Sequence, residues 1–253
     1  MPPEFGNPRT AIVTGGARRI GAAIARALAA DGWSLLIHYN DSDEDARALA
    51  AEIGAATVRA DLADPAAPGA IVAALHGLPP PALLVNNASR FDDDSFGDFD
   101  VEQWDRHMAI NARAPALLTR EFAAAVPDGA NGLVVNLLDA KLAQPNPDFF
   151  SYTVSKMAFA GMAELAARQL AARRIRVCNI APSVTLVSGR QTRDNFEQVH
   201  AMNALQRGVT VDEIVGALRF IIATPTLTGQ TLTLDGGQRF LGLSRDVQYM
   251  ESQ

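Results

Sequence analysis

The alternation of short apolar runs with longer helical stretches constrains this chain most. Apolar runs fall at 10–13, 34–39, 57–60, 82–85, 132–137, 175–180 and 231–234, and helical patterns at 20–30, 43–53, 65–75, 101–126, 153–172 and 211–223. Strands that alternate with helices imply a parallel sheet with both faces covered. No polar linker divides the 253 residues, so the reading is α/β: a single doubly wound domain over 1–253. Two places depart from the rhythm. Pro115 lies inside the long helical pattern and is expected to bend or break it. Residues 183–210 lack a clear period and are read as a substrate loop or lid.

Composition narrows the function classes. The net charge of −6 argues against a nucleic-acid or anionic-membrane partner. No run of about 18 apolar residues suggests a membrane span, and the N-terminal MPPEFGNPRT has no apolar signal core. Cys178, the single cysteine, sits in an apolar run, so a buried thiol in a reducing compartment is expected. The expectation is a cytoplasmic protein with no metal site.

The first strand runs into Thr14-Gly15-Gly16-Ala17-Arg18-Arg19-Ile20-Gly21 and then a helix. Glycines let the backbone turn tightly and approach a pyrophosphate, and a helix N-terminus offers free N–H groups to the anion. A plain strand–helix turn is the alternative. Farther on, Tyr152 and Lys156 lie four apart near a helix start, so both can face one cleft. A free tyrosine has a pKa of about 10, and a nearby ammonium favours its phenolate.

Together these motifs resemble the short-chain dehydrogenase/reductase family, whose Rossmann loop reads Thr-Gly-x-x-x-Gly-x-Gly. Thr14, Gly15 and Gly21 match, while Arg19 stands at the middle glycine. That departure is similar to the pteridine and dihydromonapterin reductases, whose loop carries two basic residues before an aliphatic residue and glycine, as Arg18-Arg19-Ile20-Gly21 does. The resemblance implies Asp61 and Leu62 at the adenine, and Asn86, Ala88, Ser89, Lys156 and Pro182 along the cofactor. NAD enzymes usually place a carboxylate at the end of the second strand; here that position is Tyr39. In the resembling reductases, His-Tyr-x-Arg-Ser binds a 2′-phosphate. This chain has His38-Tyr39-Asn40-Asp41-Ser42, with Asp41 in place of the arginine. NADPH is expected, with Arg18, His38 and Ser42 near its phosphate; Asp41 and Ser42 also read as a helix cap.

The family's catalytic serine, 13 residues before the tyrosine, is replaced by Asp139, as in pteridine reductases. A carboxyl there can bond the tyrosine hydroxyl and relay a proton; otherwise it caps a turn. Asn111 matches the asparagine said to hold a water near the lysine, or it kinks a helix. Phe91 matches a residue that stacks a pterin against nicotinamide, or it is a core phenylalanine. Arg19 and Leu186 complete the substrate candidates. The implied activity is NADPH-dependent reduction of a dihydropterin C=N bond by a homo-oligomer, as a tetramer. A ketone or 3-oxoacyl reductase is the enzyme alternative. A nucleotide-sensing scaffold is the alternative without catalysis.

Overall fold

The computed structural model describes residues 4–188 and 191–250. The chain runs β1 (Thr10–Val13), α1 (Arg19–Ala30), β2 (Ser34–Tyr39), α2 (Asp43–Ile53), β3 (Ala56–Arg59), α3 (Ala67–Ala73), β4 (Pro81–Asn86), α4 (Val101–Met108), α5 (Ala114–Ala125), β5 (Gly132–Leu137), α6 (Phe150–Leu170), β6 (Ile175–Pro182), α7 (Arg193–His200), α8 (Val211–Ala223) and β7 (Thr231–Leu234). All seven strands form one parallel sheet in the order β3-β2-β1-β4-β5-β6-β7. The order reverses between β1 and β4, which opens a crevice beyond their carboxyl ends.

Why both faces are covered follows from the strand period of two. Val13, Ile37, Val85 and Val135 point to one face, where Ile24 and Leu28 of α1 and Ile214 and Leu218 of α8 meet them. Ile12, Leu36, Leu84 and Val134 point to the other and meet Ile71 of α3 and Leu118 and Phe122 of α5. Each such fully buried side chain contributes about 1.5–3 kcal/mol. The start of α8 has a local cause: Thr210 Oγ1 accepts from the Glu213 N–H at 3.2 Å and a Glu213 carboxylate oxygen accepts from the Thr210 N–H at 2.8 Å.

One row of the sheet is polar. Asn86 Nδ2 donates to Asn136 Oδ1 at 2.9 Å, Asn136 Nδ2 to Asn179 Oδ1 at 3.0 Å, and Asn179 Nδ2 to Thr231 Oγ1 at 3.0 Å. The parallel register sets these residues level across β4 to β7. Each buried amide satisfies the next.

Several expected boundaries move. The long helical stretch does not break at Pro115. It passes from α4 to α5 through a π-helical turn, Ala109–Arg113. Pro115 has no N–H for the Asn111 carbonyl four residues earlier, and the wider turn just before it accommodates that loss. Region 183–210 is less irregular than expected, since it contains α7, capped by the Thr192 hydroxyl. Helix α6 starts three residues before the expected Thr153. Its first N–H groups are bonded from a distant loop: Ser151 N–H to Asp94 Oδ1 at 3.0 Å and Phe150 N–H to the Asp94 carbonyl at 3.2 Å. No helix among the described residues is long and apolar enough to cross a membrane, and no cluster of metal-ligating side chains is present among them.

Candidate active site

Two adjoining cavities occupy the crevice, and Arg19, Ile20, Asn87 and Ser89 line both. The first follows the glycine loop. Gly15 has φ +58°, and a Cβ on Gly21 would lie 2.2 Å from the Gly15 carbonyl oxygen. The loop is tied to the end of β4. Thr14 Oγ1 accepts from the Asn87 and Ala88 N–H groups at 3.0 Å each, and Asn87 Nδ2 donates to the Thr14 carbonyl at 2.8 Å. Arg19 has a left-handed backbone, φ +55°.

Gly15, Arg18, Gly21, Tyr39, Ser42, Asp61, Leu62 and Ala88 all border this first cavity. Three expectations change in detail. Asn86 faces neither cavity, because its side chain is spent in the amide row; its neighbour Asn87 faces both. His38 borders the cavity, but both ring nitrogens are engaged. Nδ1 accepts from the Gly15 N–H at 3.2 Å and Nε2 donates to the Ala60 carbonyl at 3.0 Å. Burial lowers its pKa, so the ring is neutral and braces the loop rather than offering charge to a phosphate. Ser42 precedes α2 without capping it through its side chain, and the Tyr39 hydroxyl donates to Asp43 at 2.7 Å. Arg18 is exposed, 3.6 Å from Asp45.

The second cavity holds the reactive groups. Tyr152 Oη donates to Asp139 Oδ2 at 2.6 Å, and Asp139 Oδ1 accepts from the Lys141 N–H at 2.8 Å. Lys156 Nζ donates to the Leu137 carbonyl at 2.8 Å and lies 5.8 Å from the Tyr152 ring. Burial lowers Lys156 to about 8. Burial raises Asp139, and burial with the Asp139 carboxylate raises Tyr152. The sequence-based expectation was a tyrosine pulled towards phenolate by lysine. Asp139 is the group bonded to the Tyr152 hydroxyl, and burial of the pair favours the neutral phenol.

Asn111 lies in the π-helical turn between α4 and α5. Its Oδ1 accepts from the Arg90 N–H at 2.8 Å and from Ser89 Oγ at 3.2 Å. Its Nδ2 donates to the Arg90 carbonyl and to Ser155 Oγ, both at 2.9 Å. These four bonds engage both side-chain acceptor positions and both donor positions, and they pin the loop after β4 to α6.

Phe91 borders the cavity, its ring stacked on Phe149 at 4.3 Å and edge-on to Tyr152 at 4.7 Å. Pro182 and Leu186 line the opposite side. Sequence reasoning missed two groups. His107, fully buried in α4, donates from Nδ1 to Ser151 Oγ at 2.6 Å and accepts at Nε2 from the Asp92 N–H at 3.2 Å; Ser151 Oγ in turn donates to Asp94. Burial lowers its pKa. This chain clamps the Phe91 loop to the residue beside Tyr152. The only local sign was that His107 sits four residues before Asn111, on the same helix face. The second missed group is the C-terminal segment 245–249. Asp148 accepts from Arg245 Nε at 2.8 Å and from the Asp246 N–H at 2.7 Å, and Asp246, Val247 and Gln248 then wall the cavity.

A family model described as enoyl-(acyl carrier protein) reductase matches residues 15–239. Pteridine reductase 1 of Leishmania tarentolae is 30% identical, with 90% of this chain and 95% of that protein covered. The 3-oxoacyl-[acyl-carrier-protein] reductase of Synechocystis sp. is 28% identical, covering 90% and 96%. Among solved structures, FolM alternative dihydrofolate reductase 1 from Brucella suis, in complex with NADP, matches with a TM-score of 0.88 at 40% identity, covering 92% of this chain and 96% of that one.

Proposed function

We infer that this chain, which belongs to the short-chain dehydrogenase/reductase family, is an NADPH-dependent reductase of a dihydropterin C=N bond. The observation that carries the reading is the 2.6 Å bond from Tyr152 to Asp139, in a cavity walled by Phe91. A serine hydroxyl at position 139 would suit a ketone oxygen; a buried carboxyl suits a ring with N–H donors and a nitrogen awaiting a proton. The names of the pteridine reductase and the alternative dihydrofolate reductase support the reading.

The first cavity fits a dinucleotide. Gly15, Ile20 and Gly21 would hold the pyrophosphate at the start of α1, Asp61 and Leu62 the adenine, and Lys156 a ribose hydroxyl. Arg18 and Ser42 would take the 2′-phosphate, since His38 is engaged elsewhere. The bound cofactor supplies hydride to a ring carbon. Phe91 holds the ring with one face against it, its other face backed by Phe149. Burial favours uptake of a proton by Asp139; once protonated it donates to the Tyr152 oxygen, reversing the bond between them, while Tyr152 passes its own proton to the ring nitrogen. The carboxylate left behind recovers a proton from solvent. No phenolate is needed, so a raised Tyr152 pKa is compatible with this direction of reaction.

Residues 183–210 serve as the substrate loop, with Leu186 at the cavity. The protein works in the cytoplasm as a homotetramer; exposed Leu165, Phe220 and Phe240 support self-association, and light scattering tests it. NADPH oxidation measured with dihydrobiopterin, dihydromonapterin, dihydrofolate, ketones and 3-oxoacyl thioesters tests the activity. Turnover of the pterins, with a lower KM for NADPH than NADH, is expected. Turnover confined to ketones or thioesters would transfer the assignment to a carbonyl reductase, a reading that the names of the Synechocystis 3-oxoacyl reductase and of an acetoacetyl-CoA reductase favour.

A further inference from the structure

The catalytic cavity contains a carboxylate that neither the glycine loop nor the Tyr152 group explains. Asp246 lies in the C-terminal segment yet borders the same space as Asp139, Tyr152 and Phe91. Its Oδ2 accepts from Lys141 Nζ at 3.2 Å, and its Oδ1 accepts from the Gln248 N–H at 3.1 Å. The side chain is only 15% exposed. Holding a carboxylate there costs desolvation that a neutral residue would avoid.

The segment does not depend on this carboxylate to stay in place. Asp148 holds Arg245 and the Asp246 N–H, and Lys141 Nζ also donates to the Asp148 carbonyl at 2.6 Å. An asparagine could accept the Gln248 N–H equally well. Each Asp246 oxygen is used once, and a carboxylate has about four acceptor positions, so one on each oxygen is left. Two acceptors side by side match two parallel N–H donors, an amidine-type edge. A pterin has such an edge where its ring N–H adjoins the 2-amino group.

We propose that Asp246 is a substrate-recognition residue that accepts the ring N–H and 2-amino group of the pterin. This rests on the dihydropterin reading above. It places recognition in a segment distant in sequence from Tyr152 and assigns the reduced ring's orientation to the C-terminal segment.

The test compares a 7,8-dihydropterin with the matching 7,8-dihydrolumazine, in which an oxo group replaces the 2-amino group. Wild type is expected to prefer the pterin. Asp246→Asn should raise the pterin KM about tenfold with little change in kcat and raise the lumazine KM, which loses only the ring N–H contact, much less; an unchanged melting temperature shows that the variant is folded. Lys141→Gln removes the cation but keeps the carboxylate, so the pterin preference should persist. Equal losses for both rings in Asp246→Asn, no loss for either, or loss of preference in Lys141→Gln would overturn the proposal. If wild type reduces neither ring, the dihydropterin reading fails first and this inference falls with it.

Discussion

The two sides of the crevice are built from different materials. On the β1–β3 side, the cavity is shaped by backbone: the left-handed Gly15, the close approach at Gly21, and amides at the start of α1. On the β4–β7 side, it is shaped by side chains from Phe91, Asp139, Tyr152 and Asp246, which meet only after folding. A backbone site ties function to a short contiguous stretch. A side-chain site can exchange one member, as Asp139 for serine, and change chemistry while the fold persists.

If the two sides are separable, damage to one should spare the other. The largest effect is expected for Tyr152→Phe, which removes the proton donor: kcat should fall about 10³-fold, while the NADPH Kd, read by fluorescence titration, stays within about twofold. Comparable loss of cofactor affinity would break the separation. Gly21→Ala should act in the opposite sense. Its Cβ would meet the Gly15 carbonyl oxygen at 2.2 Å, so the loop must shift, and NADPH affinity should fall about 100-fold, more than 2 kcal/mol. Isothermal titration would show it, and unchanged affinity would mean the loop does not carry the dinucleotide.

Phe91→Ala should raise the pterin KM about tenfold through lost stacking, with NADPH affinity kept; steady-state kinetics distinguish the two. The smallest effect near neutrality concerns Lys156, which lines the catalytic cavity. Its native pKa is lowered to about 8 from an ordinary 10.5. Between those values the unfolded chain binds the proton that the native state has released, so the group's contribution to stability increases as pH rises through the interval and is lost as pH falls through 8. Activity that needs the ammonium should move the other way, halved near pH 8. A pH series of Tm and kcat/KM for wild type and Lys156→Met would show the opposed trends in wild type alone.

The sheet and the Tyr152–Lys156 pair were legible because each has a local signature, a period of two or a spacing of four. The glycine loop was legible for the same reason. The early start of α6 was not, since the caps come from Asp94, 57 residues away. Nor was the His107–Ser151 bond, across 44 residues, or the Lys141–Asp246 pair, across 105. The misplacement of Asn86 for Asn87 has a simpler cause. Adjacent strand residues face opposite ways, and sequence does not say which asparagine ends the strand. Pro115 marked the interruption but not its form, because a proline's effect depends on whether the preceding turn can widen.

Arg19 has a consequence for how this chain can change. Its left-handed backbone disfavours any residue with a Cβ by about 1 kcal/mol, and glycine would relieve that. Arg19→Gly should therefore raise the melting temperature while removing a cation that borders both cavities. Heat and turnover would select opposite residues here. A lineage that held on to arginine accepted a softer fold in exchange for charge where cofactor and substrate meet.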